Sequence, residues 1–145
     1  MEAFTKLLEV SKFKVNDLWL DLGIPFSLLE PLGAHLIEEI LIAVKLAAFS
    51  GCDVGKVVYT TVARELGKTS PELATSSNKV EEDSLENCLA NLAHELAVVL
   101  QAKRYARMGF NVEQVLKEHA ARALAEAAKV GKADALQTVH DVLTV

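Results

Sequence analysis

Residues 84–108 read SLENCLANLAHELAVVLQAKRYARM, and the fold turns on how this stretch is read. Leu85, Leu89, Leu92, Leu96 and Val99 step by fours and threes, which lays one continuous apolar stripe along a helix. Glu81, Glu82 and Asp83 precede it, and Lys103, Arg104 and Arg107 lie near its end, so the flanking charges complement the helix dipole. Gly109 closes it. At about 100° per residue, Glu95 falls on the flank of the stripe and His94 nearly opposite it. Glu95 is therefore expected to reach the bundle interior, and His94 to lie on an outer face. That far face also carries Ala90, Ala97, Val98 and Ala102, which is too apolar to be left to water. These four residues are the expected interface of a homo-oligomer, a dimer or tetramer.

The rest of the chain repeats the helical pattern on both sides. Pro25 in LGIPF (22–26) and Pro31 in EPLG (30–33) interrupt the N-terminal part, where Phe4, Leu7, Leu8 and Ser11 mark one face of a first short helix. A strong helix follows over about 34–49; from Ile40 it is apolar nearly all round, which predicts a central position or one between subunits. Gly51 ends it, and Asp53 caps a helix running to Leu66. Residues 67–83 form a polar connection. Asn111 with Gln114 reads as a capping box for a helix to about Val130, and residues 133–142 form a last short helix with Leu136, Val139 and Leu143 on one side. GCDVGKVVYTTVAREL (51–66) and GFNVEQVLKEHAARAL (109–124) echo each other, as two αα turns do. The fold class is all-α: helical hairpins packed as a four-helix-bundle-like single domain over residues 1–145.

Composition agrees. Of 145 residues, 51% are hydrophobic but only 6% aromatic, so Leu, Val and Ala dominate, as in packed helices. The net charge of −5 argues against a DNA or RNA partner, which calls for a basic face. ILIAVKLAAF (40–49) is too short to span a membrane and contains Lys45. Cys52 and Cys88 stand far apart without a C-x-x-C and read as reduced thiols of a cytoplasmic protein.

Glu38 and Glu39 are adjacent carboxylates at the entry to the most apolar helix. Carboxylates projecting into a bundle suit Mg²⁺, a hard cation that prefers oxygen ligands. His35, three and four residues earlier, shares a face with them and would suit a softer metal. The plainer alternative is a pair of acids favoured by the helix dipole. His119 and His140 read as surface or edge residues. His94–Glu95 is followed by Ala97 and Val98, so no H-E-x-x-H motif is completed, and no Gly-rich phosphate loop is present.

The order of these features resembles the MazG-like all-α nucleoside triphosphate pyrophosphohydrolases. LGIPF precedes HLIEEILIA (35–43), and HELAVVL (94–100) precedes RMGFNVEQVLKEHAARAL (107–124). The resemblance implies a bundle that dimerises or tetramerises and a Mg²⁺-dependent cleavage of nucleotides. It places Glu38, Glu39 and Glu95 as metal ligands, with Lys103 and Arg107 as candidate phosphate contacts. Ile42 and Val98 stand where two further acids of the family's motifs would fall, and Arg122 where an asparagine often follows. Activity is therefore expected to be reduced or lost. The alternatives are a non-catalytic helical homo-oligomer or protein-interaction module and, third, a binder of a small apolar ligand between Ala-rich helices.

Overall fold

A computed structural model describes residues 17–69 and 84–145; the first predicted helix and positions 70–83 of the polar connection lie outside the described residues. The fold is all-α. Among the described residues six helices pack against one another: α1 (Asp17–Asp21), α2 (Leu32–Ser50), α3 (Val54–Thr69), α4 (Leu85–Arg107), α5 (Glu113–Val130) and α6 (Ala133–Thr144). A 3₁₀ turn, Phe26–Leu28, lies in the strap between α1 and α2.

Local signals in the sequence set most of the boundaries. Gly51 ends α2 in the left-handed region at φ 70°, which a side chain would strain. Asp53 Oδ1 accepts from the Lys56 N–H at 3.1 Å to start α3, and Ser84 Oγ accepts from the Asn87 N–H at 3.2 Å to start α4. Two boundaries differ from expectation. α3 runs on through Gly67 and Lys68 to Thr69. The Asn111–Gln114 capping box does not form: Val112 occupies the cap position without a side-chain bond, and Gln114 Nε2 donates to Glu118 instead.

The central helix is α4, which packs on α2, α3, α5 and α6. Its first half joins a core of Leu46, Leu89, Leu92, Leu96, Ala123 and Val139. Its second half joins another, in which Val98, Tyr105 and Val112 meet Trp19 of α1 and Ile24 and Leu29 of the strap. The predicted stripe is buried as expected, although Leu85 is only partly covered.

The opposite face of α4 corrects the sequence reading. Ala90, Ala97, Val98 and Ala102 are buried within the chain itself, because α2, α3 and the strap cover the side assigned to a second subunit. Conversely, α2 is not wrapped on all sides. Ile37 is 61%, Leu41 66% and Phe49 56% exposed, while the inward face presents Leu32, His35, Glu39, Ala43, Leu46 and Ala47. In α6 the buried side is Ala135, Thr138 and Val139, with Leu136 exposed. Among the described residues no helix is long and apolar enough to cross a membrane.

Candidate metal centre

Helix α2 turns an ionisable pair inward while Ile37, Leu41 and Phe49 face outward, the reverse of what water rewards. The inward pair is His35 and Glu39, one helical turn apart, with Glu39 at 0% exposure. Glu65, almost fully buried, joins them from α3, and His94, half-buried, from α4. A donor atom from each of the four lies within 4.8 Å of every other.

The contacts inside the cluster are close. His35 Nε2 lies 3.0 Å from Glu39 Oε1, and His94 Nδ1 lies 3.3 Å from Glu65 Oε1. His94 Nδ1 also meets Glu39 Oε1 directly. For donors placed ~2.1 Å from one central ion, neighbouring donors stand about 3.4 Å apart. These three contacts are at or inside that spacing, and every pair among the four donors lies within 4.8 Å. His35 Nε2 and Glu39 Oε2 are buried and face the cluster, where they meet Glu39 Oε1 at 3.0 Å and Arg64 at 3.6 Å respectively.

Cations and a further carboxylate surround the four donors. Arg64 of α3 lies 3.6 Å from Glu39 Oε2 and 3.5 Å from Glu65 Oε1. Its guanidinium is held by Asn91 Oδ1 at 2.7 Å and the Ala90 carbonyl at 3.0 Å. Lys68, at the exposed end of the group, pairs with Glu65 Oε1 at 2.7 Å. On the other side, Glu30 Oε2 accepts from His35 Nδ1 at 3.0 Å.

The electrostatics follow from this mixture. Burial disfavours the His35 imidazolium, but hydrogen bonds to Glu30 and Glu39 and their charges outweigh it and push the pKa up to about 10. Burial likewise opposes charge on His94, and its contacts with Glu39 and Glu65 raise its pKa in spite of that. Burial also works against the Glu39 and Glu65 carboxylates, and bonds from the histidines, with Lys68 at Glu65, hold both below the usual carboxylate range. A proton on His35 thus supplies positive charge of the kind a divalent ion would bring among these carboxylates.

The residues singled out from the sequence divide. Glu39 is central, and the His35–Glu39 spacing is the part of the site visible beforehand. Glu38 lies apart from the cluster and pairs with Arg104, whose NH1 donates to Glu38 Oε2 at 2.8 Å. Glu95 faces the other way, with His119 Nδ1 2.5 Å from its Oε2, so His119 is a partly buried partner rather than a surface residue. His94 is the plain correction: its direction away from the Leu stripe leads to Glu39 and Glu65, because the bundle continues on that side. Lys103 Nζ donates to the carbonyls of Val142 and Leu143 at 2.8 and 2.6 Å, and Arg107 to that of Val145 at 2.7 Å, so both fasten the end of α6. Glu65, Arg64 and Glu30 carried no signal in the sequence, since each joins the site through packing between elements. Cys52 and Cys88 form no disulfide and lie outside the cluster.

Neither protein-family models, nor curated proteins, nor solved structures give a match to this chain.

Proposed function

We propose that this chain is a helical-bundle metalloprotein that binds one divalent first-row transition ion through His35, Glu39, Glu65 and His94. The observation that carries the reading is the buried cluster of two imidazoles and two carboxylates from three helices, with one donor atom of each within 4.8 Å of every other. Imidazole favours zinc, iron and their neighbours, while carboxylate tolerates a broader set, so the mixed donors suit Zn²⁺, Fe²⁺, Co²⁺ or Mn²⁺ better than Mg²⁺. An ion there would act as a Lewis acid or activate a bound water. Arg64 and Lys68 beside it would favour an anionic substrate. The MazG-like reading keeps one of its three acids, Glu39, in this cluster. Nucleotide cleavage is therefore proposed only as the hydrolytic version of the same centre.

The test is titration of chelator-treated full-length chain with Co²⁺, read by visible absorption, with Zn²⁺, Mn²⁺ and Mg²⁺ as competitors. One equivalent of Co²⁺ with a low-symmetry spectrum is expected, displaced by Zn²⁺ far better than by Mg²⁺ and lost in H94A and E39A. Saturation only at ratios typical of surface carboxylates, unchanged in both variants, would remove the centre. Pyrophosphate release from nucleoside triphosphates by the loaded chain tests the hydrolytic version separately.

A second reading, a helical interaction module or homo-oligomer, is favoured by one observation, the exposed apolar stripe of Ile37, Leu41 and Phe49 on α2. It takes the place of the face first assigned to the interface. Light scattering of the wild type and L41E tests it: an assembly that L41E dissolves supports it, and a monomeric wild type removes the homo-oligomer.

A further inference from the structure

The strap that enters α2 bears on the cluster from outside. Tyr105, wholly buried on α4, accepts the Glu30 N–H at 3.1 Å through its hydroxyl and donates that hydroxyl to the Leu28 carbonyl at 3.1 Å. Its ring meets Trp19 edge-on, with centroids 5.0 Å apart. The backbone on both sides of Leu29 is thus clasped to the central helix, and Leu29 itself is buried. Glu30 is held buried at the end of this clasp, directly before Pro31 and the first turn of α2. Its Oε2 faces His35 Nδ1 at 3.0 Å, and its Oε1 lies 3.9 Å from Arg104.

An ionised carboxylate can only accept a hydrogen bond. Nδ1 of His35 therefore carries the proton that faces Glu30, and when metal binding neutralises the ring the lone pair falls on Nε2. That atom is buried and points into the cluster, 3.0 Å from Glu39 Oε1. We infer that Glu30 is a positioning residue for the centre: it fixes the His35 ring and its tautomer so that Nε2 is presented to the ion. The inference rests on the metal reading above and adds a residue from a different element, one that does not itself reach the ion. Outer carboxylates of this kind raise the basicity of a ligating imidazole, and their loss costs roughly 10–100-fold in metal affinity.

The experiment compares Co²⁺ binding to the full-length wild type, E30A and E30Q, with two-bond ¹H–¹⁵N spectra of the Zn²⁺-loaded chains to read the His35 tautomer. E30A is expected to keep one binding site with affinity lower by about 10–100-fold, and to lose the protected Nδ1–H signal of His35. E30Q, which retains an acceptor oxygen but not the charge, is expected to keep the Nδ1–H signal with a smaller loss of affinity. A merely structural role would lower stability without moving the tautomer signal. Wild-type binding with unchanged affinity and tautomer in E30A overturns this role and leaves the metal centre standing. Should E30A fail to fold, unchanged affinity in E30Q does the same. No binding by the wild type overturns the centre and the role of Glu30 together.

Discussion

Glu39 has no exposed surface, and His35, His94 and Arg64 all turn charge or potential charge towards it. Removing a single member of such a buried group leaves the others uncompensated, which costs about 3–5 kcal/mol. E39A in chelator is expected to lose that much, read from urea denaturation; a loss under about 1 kcal/mol, the range of an exposed ion pair, would show that the group is solvated. The same group sets a pH dependence for the metal-free chain. The folded-state pKa of His35 is pushed up to about 10, above the ordinary imidazole value. Its contribution to stability is therefore complete below the unfolded pKa and is lost as pH rises from there through the folded one. The metal-free wild type is expected to weaken steadily over that window, and H35F to show a flatter profile in the same denaturation series. Equal slopes in the two chains would contradict the assignment. On the other side of α4, the depressed pKa of Glu95, produced by His119 against the opposing effect of burial, works in the opposite sense. That contribution is present at neutral pH and fades as the solution becomes acidic.

At the scale of elements, what the sequence disclosed depended on whether the signal lay within one helix. The stripe of α4, the cap at Asp53, the Gly51 stop and the His35–Glu39 spacing all lie within a few residues of chain, and each reappears in the structure. Glu65 and His94 could not be joined to them, because no periodicity within one helix reports which neighbour will face it. The face of α4 carrying Ala97 was misassigned for the same reason. A stripe identifies one buried side, and small apolar residues opposite it fit a covering helix of the same chain as well as a second subunit. The two cases separate by mutation. Ala97 has no room, so A97L is expected to cost about 1–3 kcal/mol through overpacking, as measured by denaturation. A neutral A97L would return that face to the surface. The outward side of α2 gives the reverse expectation. I37K and L41K are expected to change stability by no more than about 0.5 kcal/mol, since both side chains already stand in water.

For the molecule as a whole, the placement of the cluster matters more than its composition. His35 and Glu39 belong to α2, Glu65 to α3 and His94 to α4, so an ion held by all four would fasten the α2–α3 hairpin to the central helix. α5 and α6 supply no donor among the described residues and are held to α4 through the apolar core and the bonds from Lys103 and Arg107. Binding to the folded state alone stabilises it by an amount set by concentration, about 2.7 kcal/mol when free ion reaches one hundred times its dissociation constant. Urea denaturation of the chain with Zn²⁺ at that excess, against the same chain in chelator, is expected to show the full increment. It should be absent in H94A, which removes the only donor from the central helix while leaving the apolar contacts of α4 in place. If H94A gained as much as the wild type, the ion would be resting on the α2–α3 hairpin alone, and the centre would not tie the bundle together.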